Sequence, residues 1–467
     1  MNHPPLHRPM FDIPQLAADF SDPTGDIRAL HGVNMGPLSC SGFLDLSEYH
    51  RELGFPFTRT HDAIYALPGA IDVHCVFPLF DADPDDPANY TFALSDDYVA
   101  SILNTGSRVY YRLGETIEHH RQRKHYAHPP RDFEKWARIC VNIVRHYNEG
   151  WAGGFHHGIE YWEVWNEPHH PPCWTGTAQD YYRLYETTAR ALKTHDPHLK
   201  VGGPASGDFD GIENDAFGRG FLDYVRTREV PLDFYSWHAY PDHPQVMLTR
   251  SLAARRYLDA HGFQHVENHL NEWNLNAYGW AMLTDPANHA PAVVEDATSP
   301  RGAAFIASTL SLLQDAMLDQ AHFYWGREGW WGLFDTYGRP LTNFYAFKAF
   351  KKLLDLAPCR VRTTGEDPAT GLTMLAGLAR DKSAGIILLS NFANATDAVD
   401  LSFKGPWHGA MEVDVELVDG THLLDRVRSE KFSMGATVRL PLPAATVALV
   451  TLRKTTGSLR QSGAPRN

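Results

Sequence analysis

The most informative stretch of the chain is EYWEVWNEP, Glu160–Pro168. Its first part is rich in aromatic and β-branched residues, which favours a buried strand, and Pro168 cannot continue a central strand because it lacks an N–H group. Glu167 therefore lies where a strand ends and a loop begins. A second such strand, Asn268–Asn274 (NHLNEWN), carries Glu272 about a hundred residues later. In a (β/α)8 barrel this end of the strands carries the chemistry.

Strand and helix patterns alternate on both sides of this stretch. Such alternation predicts an α/β fold, a (β/α)8 barrel over residues 27–357. The other predicted strands are Ala29–Asn34, Phe57–Asp62, Arg108–Glu115, Lys200–Ala205, Asp233–Tyr240 and Gln320–Gly326. The predicted helices are Ser95–Thr105, Asp132–Tyr147, Thr177–His195, Gly218–Arg228, Val246–His261, Gly302–Asp319 and Asn343–Leu356.

The segments that flank the barrel have a different character. Residues 358–454 contain short alternating runs separated by turn residues, which predicts an antiparallel β-sandwich. This domain has few convergent acidic or His positions, so a structural role is favoured over carbohydrate binding. Residues 1–26 are Pro-rich and form an N-terminal arm or an edge strand of another domain. Residues 455–467 are predicted to be a disordered tail.

Composition excludes several classes of partner. The formal net charge of the 467 residues is −14 and no basic stripe is present, which argues against nucleic acid. No apolar run approaches the length of a membrane span.

The five Cys residues are widely spaced without a CxxC pair, which predicts buried thiols in a reducing compartment. Without a signal-peptide pattern, we expect a cytoplasmic protein, or a secreted one if a leader has been removed.

Two carboxyl groups at strand ends indicate a reaction type. Cleavage of a glycosidic bond needs one carboxyl group to protonate the leaving oxygen and another to attack or stabilise the sugar. We expect apolar neighbours such as Trp165, together with the charge of Glu272, to raise the pKa of Glu167. Glu272 needs a cation or hydrogen-bond donors to stay ionised, and Arg59 is the candidate.

Three motifs carry a resemblance to a known family. WNEP at the fourth strand, SWHAY at the sixth and LNEWN at the seventh resemble glycoside hydrolase clan A, and within it family 39, the β-xylosidase and α-L-iduronidase family. The likeness runs from about Leu30 to Leu354. It implies a retaining double displacement, in which Glu167 is the general acid/base and Glu272 the nucleophile.

The resemblance also implies sugar-binding residues. Asn166 resembles the donor to the sugar 2-hydroxyl, with a turn role as the alternative. His238 and Tyr240 match the His-x-Tyr of the sixth strand, where Tyr240 would hold the nucleophile. His61 resembles a ligand of a sugar hydroxyl, and Tyr278 matches a family position more weakly.

Two residues after the eighth strand are further candidates. Trp325 is placed to form a floor for the sugar ring, because an indole stacks on the apolar face of a sugar. Glu328 is placed to bind two hydroxyls of a terminal sugar. The alternative for Glu328 is an ion pair with Arg327 or Arg339.

The leading prediction is exo-action on β-xylosides, with an oligosaccharide or small glycoside as substrate and no cofactor. Arabinosyl, glucosyl or uronic-acid substrates and endo-action stay open; a uronide needs a basic pocket, which Arg327 or Arg112 would supply. A sugar-binding protein without catalysis is a further alternative. No metal is expected, because the adjacent pairs His119-His120, His156-His157 and His169-His170 would point to opposite faces of a strand. The oligomeric state is left open.

Overall fold

The structure is a computed structural model that describes residues 13–39, 43–118, 122–207, 211–280, 290–433 and 435–454. Residues 1–12 of the predicted N-terminal arm, the predicted tail, Cys40 and the pair His119-His120 lie outside these residues. The described residues form two compact units. One comprises those of Ala29–Lys348, and the other those of Met1–Arg28 and Ala349–Asn467. The predicted domain limits stay a prediction.

Eight parallel strands close into a barrel in the first unit, which confirms the predicted (β/α)8 fold. Each strand pairs with the next along the chain, and the eighth pairs with the first. In chain order the strands are Gly32–Asn34, Phe57–Arg59, Arg108–Leu113, Tyr161–Val164, Lys200–Ser206, Phe234–Ala239, Glu267–Trp273 and Gln320–Phe323.

Helices follow the barrel strands, and two of them, Ser47–Leu53 and Ala290–Ala297, were not predicted. They are Ser47–Leu53, Ala93–Leu103, Phe133–Glu149, Ala178–His195, Ala216–Arg228, Gln245–Ala260, Ala290–Ala297, Pro300–Leu312 and Thr342–Leu356. Thr177 caps the helix after the fourth strand, where its side chain and that of Asp180 bond each other's backbone N–H groups in a capping box. Minor elements are the strand pairs Leu38–Ser39 with Leu44–Asp45 and Ile64–Tyr65 with Leu67–Pro68, the helix Val73–Val76, and the 3-10 turns Pro87–Asn89, Trp151–Gly153, Leu313–Asp315 and Pro368–Thr370.

The barrel interior changes from apolar to polar along the strands. Near their amino ends, four aromatic side chains form one buried cluster: Phe57, Tyr110, Tyr161 and Phe234. Two residues further along three of these strands come Arg59, Glu163 and Ser236, all fully buried. Because side chains on a strand alternate with a period of two, these polar residues share the inward face with the aromatic ones. An apolar plug thus lies beneath a polar layer, and the candidate site lies above both.

The second unit is a nine-stranded sheet that curls around a single hydrophobic cluster, in agreement with the predicted antiparallel β-sandwich. All its pairs are antiparallel except that of Gln15–Asp26 with Ala398–Lys404. Its other strands are Cys359–Thr364, Leu372–Leu378, Ala384–Asn391, Ala410–Val418, Leu423–Ser433, Thr437–Pro441 and Thr446–Lys454.

Two further expectations concern the whole chain. No helix within the described ranges combines the length and the apolar character needed to cross a membrane. The four described cysteines are free thiols, but only Cys140 and Cys173 are buried. Cys75 and Cys359 are partly exposed, so the expectation of buried thiols is wrong for these two. Cys75 lies in the short helix Val73–Val76, and Cys359 begins its strand and packs against the margin of the core.

Candidate active site

Glu167 lies in a tight turn just beyond the fourth barrel strand. The backbone of Trp165 and Glu167 is left-handed, with φ of 71° and 44°. Neighbouring strands hold this turn: the Trp165 N–H donates to the Leu113 carbonyl at 2.7 Å, and the Glu167 N–H donates to the Ala205 carbonyl at 3.1 Å. The barrel thereby turns the Glu167 side chain toward His238, whose Nδ1 lies 2.8 Å from Oε1.

Glu272 lies near the end of the seventh strand, and its side chain is only 5% exposed. Its Oε1 accepts a hydrogen bond from the Arg59 guanidinium at 2.6 Å, and its Oε2 accepts one from the Tyr240 hydroxyl at 2.6 Å. His61, which is fully buried, places its Nε2 3.6 Å from Oε1. The structure thus brings Arg59, His61 and Tyr240 together around this carboxyl group.

The polar layer beneath the site is organised by Glu163, a residue that the sequence analysis did not identify. Its Oε2 accepts from the Arg59 Nε at 2.7 Å, and its Oε1 accepts from Ser236 and Asn271 at 2.7 and 2.6 Å. These three hydrogen bonds, with a further contact of 2.6 Å from Nη2 of Arg59, use both oxygens of a carboxyl group with no exposed surface as acceptors. Arg59 therefore lies between two carboxylates, Glu163 and Glu272. The period of two from Tyr161 was the signal that would have found Glu163.

The two candidate carboxyl groups lie close together. One oxygen of Glu167, one oxygen of Glu272 and a ring nitrogen of His238 all lie within 4.8 Å of one another. Burial raises the pKa of both carboxyl groups. At Glu167 the neighbouring His169 and His170 oppose this rise in pKa, and the charge of Asp62 adds to it. Arg59 and Tyr240 oppose the effect at Glu272 by donating to its charged form. The hydrogen-bond donors that favour a charged form are thus arranged around Glu272.

His238 lies between these carboxyl groups as a neutral imidazole. Burial lowers its pKa to about 4. Its Nδ1 contacts Glu167, and it also lies 3.4 Å from Oε2 of Glu272. Its Nε2 has no hydrogen-bond partner among the described residues. A neutral ring in this position separates the two carboxyl groups without adding a positive charge that would favour ionisation of Glu167.

Asn166 is held in a single orientation next to Glu167. Its side-chain oxygen accepts a hydrogen bond from Arg59 at 2.7 Å. The amide oxygen therefore faces the guanidinium, and the amide nitrogen faces away from it. Its amide nitrogen is buried and has no partner within the described part of the chain. An unpaired buried donor costs free energy unless a ligand satisfies it. This nitrogen is therefore available to a substrate oxygen.

Trp325 and Glu328 form part of the loop after the eighth strand. The Trp325 indole N–H donates to the Glu328 carbonyl at 3.0 Å, and the Arg327 guanidinium lies 4.9 Å from the Trp325 ring centre. Glu328 accepts from Ser39 at 2.7 Å and from Arg327 at 3.0 Å. The ion pair weighed above thus forms with Arg327, whereas Arg339 pairs with Asp335. The second oxygen of Glu328 is buried and has no partner among the described atoms.

Tyr278 is the predicted residue that the structure does not connect to the site. Its side chain is 46% exposed and shares no hydrogen bond or ring contact with the described site residues. Two residues further on, the Trp280 ring lies 5.0 Å from the Tyr240 ring and 5.6 Å from that of Trp331. The sequence analysis missed both Trp residues, because a loop Trp carries no periodic signal that distinguishes a core role from a site role.

A cation is the other occupant that a Glu–His–Glu cluster suggests. Glu167, His238 and Glu272 each offer one ligand atom within 4.8 Å of the others. However, both oxygens of Glu272 already accept hydrogen bonds from Arg59 and Tyr240. A metal ion there would have to replace a buried guanidinium. The donor set therefore fits a carboxylate held ionised by its neighbours better than a metal ligand.

Fold and site together define a class. A closed (β/α)8 barrel with two buried, adjacent carboxyl groups at the carboxyl ends of its fourth and seventh strands is an arrangement suited to glycosidic bond cleavage.

The chain belongs to the glycosyl hydrolases family 39, whose model matches residues 44–353. It is 28% identical over 351 residues to a beta-xylosidase of Geobacillus stearothermophilus, covering 67% of this chain and 65% of that one. It is 25% identical over 338 residues to a beta-xylosidase of Caldicellulosiruptor saccharolyticus, covering 66% and 64%. The chain thus spans slightly less than two thirds of the length of these relatives.

A solved structure extends the likeness to almost the whole chain. The crystal structure of a glucosidase from Croceicoccus marinus superposes with a TM-score of 0.79 at 25% sequence identity. The match covers 96% of this chain and 100% of that one. Family membership therefore predicts a carbohydrate substrate, and the named relatives act on more than one sugar.

Proposed function

We propose that this protein is a retaining glycosidase that releases terminal sugars, with β-xylosides as the leading substrates. The observation that carries the proposal is the asymmetry between two adjacent carboxyl groups. Glu272 receives hydrogen bonds from Arg59 and Tyr240, whereas Glu167 faces a neutral His238 and the Cys173 thiol, whose Sγ lies 3.7 Å from Oε2. One group is held ionised and the other is able to keep a proton.

Their spacing supports retention of configuration. Retaining enzymes place the two carboxyl groups about 5–5.5 Å apart, whereas inverting enzymes separate them by roughly 6.5–9.5 Å to admit a water molecule. Oxygens of Glu167 and Glu272 lie within 4.8 Å of each other. That leaves no room for a water between nucleophile and sugar, so Glu272 itself would attack.

The mechanism follows from these assignments. Glu272 attacks the anomeric carbon while Glu167 donates its proton to the leaving oxygen, and a covalent glycosyl ester forms. Glu167, now ionised, then takes a proton from a water molecule that breaks the ester. Arg59 and Tyr240 orient Glu272, and the unpaired amide nitrogen of Asn166 is available to hydrogen-bond the sugar 2-hydroxyl.

The local charge balance explains how both roles coexist at neutral pH. The trio of Glu163, Arg59 and Glu272 carries one net negative charge when both carboxyl groups are ionised. A further ionised carboxyl group beside it is disfavoured, and burial adds to this effect at Glu167. The acid thus keeps its proton until the leaving group takes it.

Several features bear on which sugar the enzyme releases. The names of the two curated relatives favour a xyloside, and that of the Croceicoccus marinus enzyme favours a glucoside as the second candidate. Of the arginines considered for a uronate, Arg327 pairs with Glu328, and Arg112 is fully buried and pairs with Asp72 through one nitrogen. A substrate carboxylate beside Glu328 would be repelled, which disfavours a uronide.

The experiment is hydrolysis of a panel of p-nitrophenyl glycosides by wild type and by Glu272→Ala. We expect release from the β-xyloside by wild type, at least a thousandfold loss in Glu272→Ala, and the β-anomer as first product by NMR. A 2-deoxy-2-fluoroxyloside should label Glu272 in a peptide map. Release of the α-anomer first, or full activity in Glu272→Ala, would contradict the mechanism.

The alternatives have separate outcomes. Preferred release from the β-glucoside or an arabinoside would keep the mechanism and change the sugar, and activity on xylan only would indicate endo-action. Sugar binding without turnover, unchanged in Glu167→Ala, would indicate a binding protein. Loss of activity with a chelator and its return with a divalent cation would indicate a metal-dependent hydrolase.

A further inference from the structure

A second cluster of reactive side chains lies after the second and third barrel strands, and it contains a thiol. Cys75 Sγ lies 3.3 Å from Nε2 of His74, and Nδ1 of the same ring forms an ion pair with the Glu115 carboxylate. The Glu115 carboxylate also accepts the His74 backbone N–H at 3.3 Å. Thiol, imidazole and carboxylate thus form a continuous chain, referred to below as the Cys75 triad.

The imidazole of this triad is held in place and held protonated. Its ring stacks on Tyr126, with ring centres 3.5 Å apart and planes 10° apart. Hydrogen bonds with Cys75 and Glu115 outweigh burial and raise the pKa of His74, whereas burial raises the pKa of Glu115 against the same contact. The pair shares one proton, and two hydrogen bonds to the ring favour its position on His74. The charged groups that face it are Glu115 and Asp72, and the Asp72 carboxylate is itself neutralised by Arg112 at 2.7 Å. His74 is therefore a cation whose position beside the sulfur is fixed.

The other described cysteines lack this arrangement. Cys140 and Cys173 are buried, and burial raises the pKa of each thiol well above its usual range, so they stay protonated. Cys359 is partly exposed like Cys75, but its cationic neighbour, Arg380, is an exposed side chain 3.8 Å away that also pairs with Asp26. Cys75 combines partial exposure with an imidazolium held by a buried carboxylate.

We propose that Cys75 is a reactive thiol that exchanges with low-molecular-weight disulfides and is thereby a site of reversible modification. The Cys75 sulfur attacks one sulfur of the disulfide, a new S–S bond forms, and the original S–S bond breaks. The Cys75 proton passes to the solvent and the leaving thiolate takes a proton from the solvent, so His74 stays protonated throughout. The thiol is oxidised and one disulfide sulfur is reduced, so no other reactant is needed.

The probe is oxidised glutathione, and the measurement is the rate of mixed-disulfide formation at each cysteine by peptide mapping of the intact protein. At pH 6.5 Cys75 should react faster than Cys359. His74→Gln, which keeps a polar side chain but cannot carry a charge, should slow Cys75 about five- to tenfold, because the cation that lies 3.3 Å from the attacking sulfur is lost. At pH 9, where ordinary thiols ionise, the difference should largely disappear.

Controls separate this effect from a change of structure. Glu115→Gln should slow Cys75 in the same direction, whereas His128→Gln, an exposed His outside the triad, should not. If His74→Gln lowers the melting temperature by more than a few degrees, the wild-type ratio of Cys75 to Cys359 at the two pH values remains the test. Equal rates at both pH values would overturn the proposal. So would full protection of Cys75 by stoichiometric Zn²⁺, which would mark Asp72, His74 and Glu115 as a metal site.

Discussion

Tyr240→Phe removes one hydroxyl and leaves a ring of nearly the same shape. The hydroxyl donates to Oε2 of Glu272 at 2.6 Å, and the ring contacts Trp280 and Trp331, contacts that Phe would keep. A hydrogen bond to a charged group contributes about 1.5–3 kcal/mol. If this hydrogen bond stabilises the ionised Glu272 carboxylate during the reaction, its loss should lower kcat/KM about 10- to 150-fold.

The pH dependence gives the same substitution a sharper readout. The Tyr240 hydrogen bond lowers the pKa of Glu272, so its loss raises that pKa. The acid limb of kcat/KM, where Glu272 takes up a proton, should therefore move upward by about one to two pH units. The assay is kcat/KM for the preferred p-nitrophenyl glycoside between pH 4 and 9.

A matched control is available at a neighbouring hydroxyl. Tyr324 donates to Asp62 at 2.8 Å, and its ring lies 6.2 Å from that of Tyr240. Tyr324→Phe should therefore change activity less and leave the acid limb in place. A Tyr240→Phe enzyme with less than a twofold loss and an unmoved limb would refute the assignment of Tyr240 as the group that holds Glu272 ionised.

Three further predictions concern other parts of the barrel. Gly207→Ala should keep the melting temperature and lower kcat at least tenfold, because a Cβ there would lie 2.9 Å from Oε1 of Glu167 and 2.7 Å from His169. Cys173→Ser should move the basic limb of kcat/KM to lower pH, because a hydroxyl donates to the ionised Glu167 more strongly than a thiol does. Urea unfolding should show that His50 contributes about 3 kcal/mol to the loss of stability as the pH drops from about 6.5 to 4, because burial lowers the pKa of His50 to about 4 and only the unfolded chain takes up that proton. The contribution is the difference between wild type and His50→Gln, since other buried histidines such as His238 titrate in the same range.

Each of these has a control and an outcome that counts against it. Gly420→Ala adds a methyl group where no atom lies within 4 Å, and it should leave activity unchanged. Cys173→Ala should shift the basic limb the opposite way from Cys173→Ser; an identical shift in both would point to altered packing. His50→Gln should flatten the pH dependence of stability, and an unchanged slope would assign it to other groups.

The barrel was predictable because its signals are local. A short apolar run predicts each strand and apolar periodicity predicts each helix, so the predicted strands match the observed ones within a few residues.

The sheet of the second unit was less predictable at its edges. Leu423–Ser433 lies at one edge of the sheet and buries only two of its side chains, so its sequence lacks apolar alternation. The pairing of Gln15–Asp26 with strands more than 300 residues away leaves no local trace.

Within the site, the sequence identified groups at strand ends but not the groups beneath them. Arg59 was proposed as a partner of Glu272, and the structure shows that contact at 2.6 Å. The sequence did not reveal that Arg59 also binds Glu163. This contact depends on the diameter of the barrel and on the relative positions of the second, fourth and seventh strands. Loop residues were the least predictable, as the exposed Tyr278 and the unforeseen Trp280 illustrate.

The turn that presents Glu167 shows how fold and site depend on each other. A non-glycine residue in the left-handed region costs of order 1–3 kcal/mol when it is held there, and both Trp165 and Glu167 adopt such backbone angles. Two sets of contacts offset this cost. The backbone N–H groups of the turn donate hydrogen bonds to the carbonyls of Leu113 on the third strand and Ala205 on the fifth. The Trp165 indole is buried and donates to the Cys173 carbonyl at 2.8 Å. The barrel thus holds a strained turn in the one orientation that brings Glu167 beside His238. A relaxed turn would be more stable locally, but it would point the carboxyl group elsewhere.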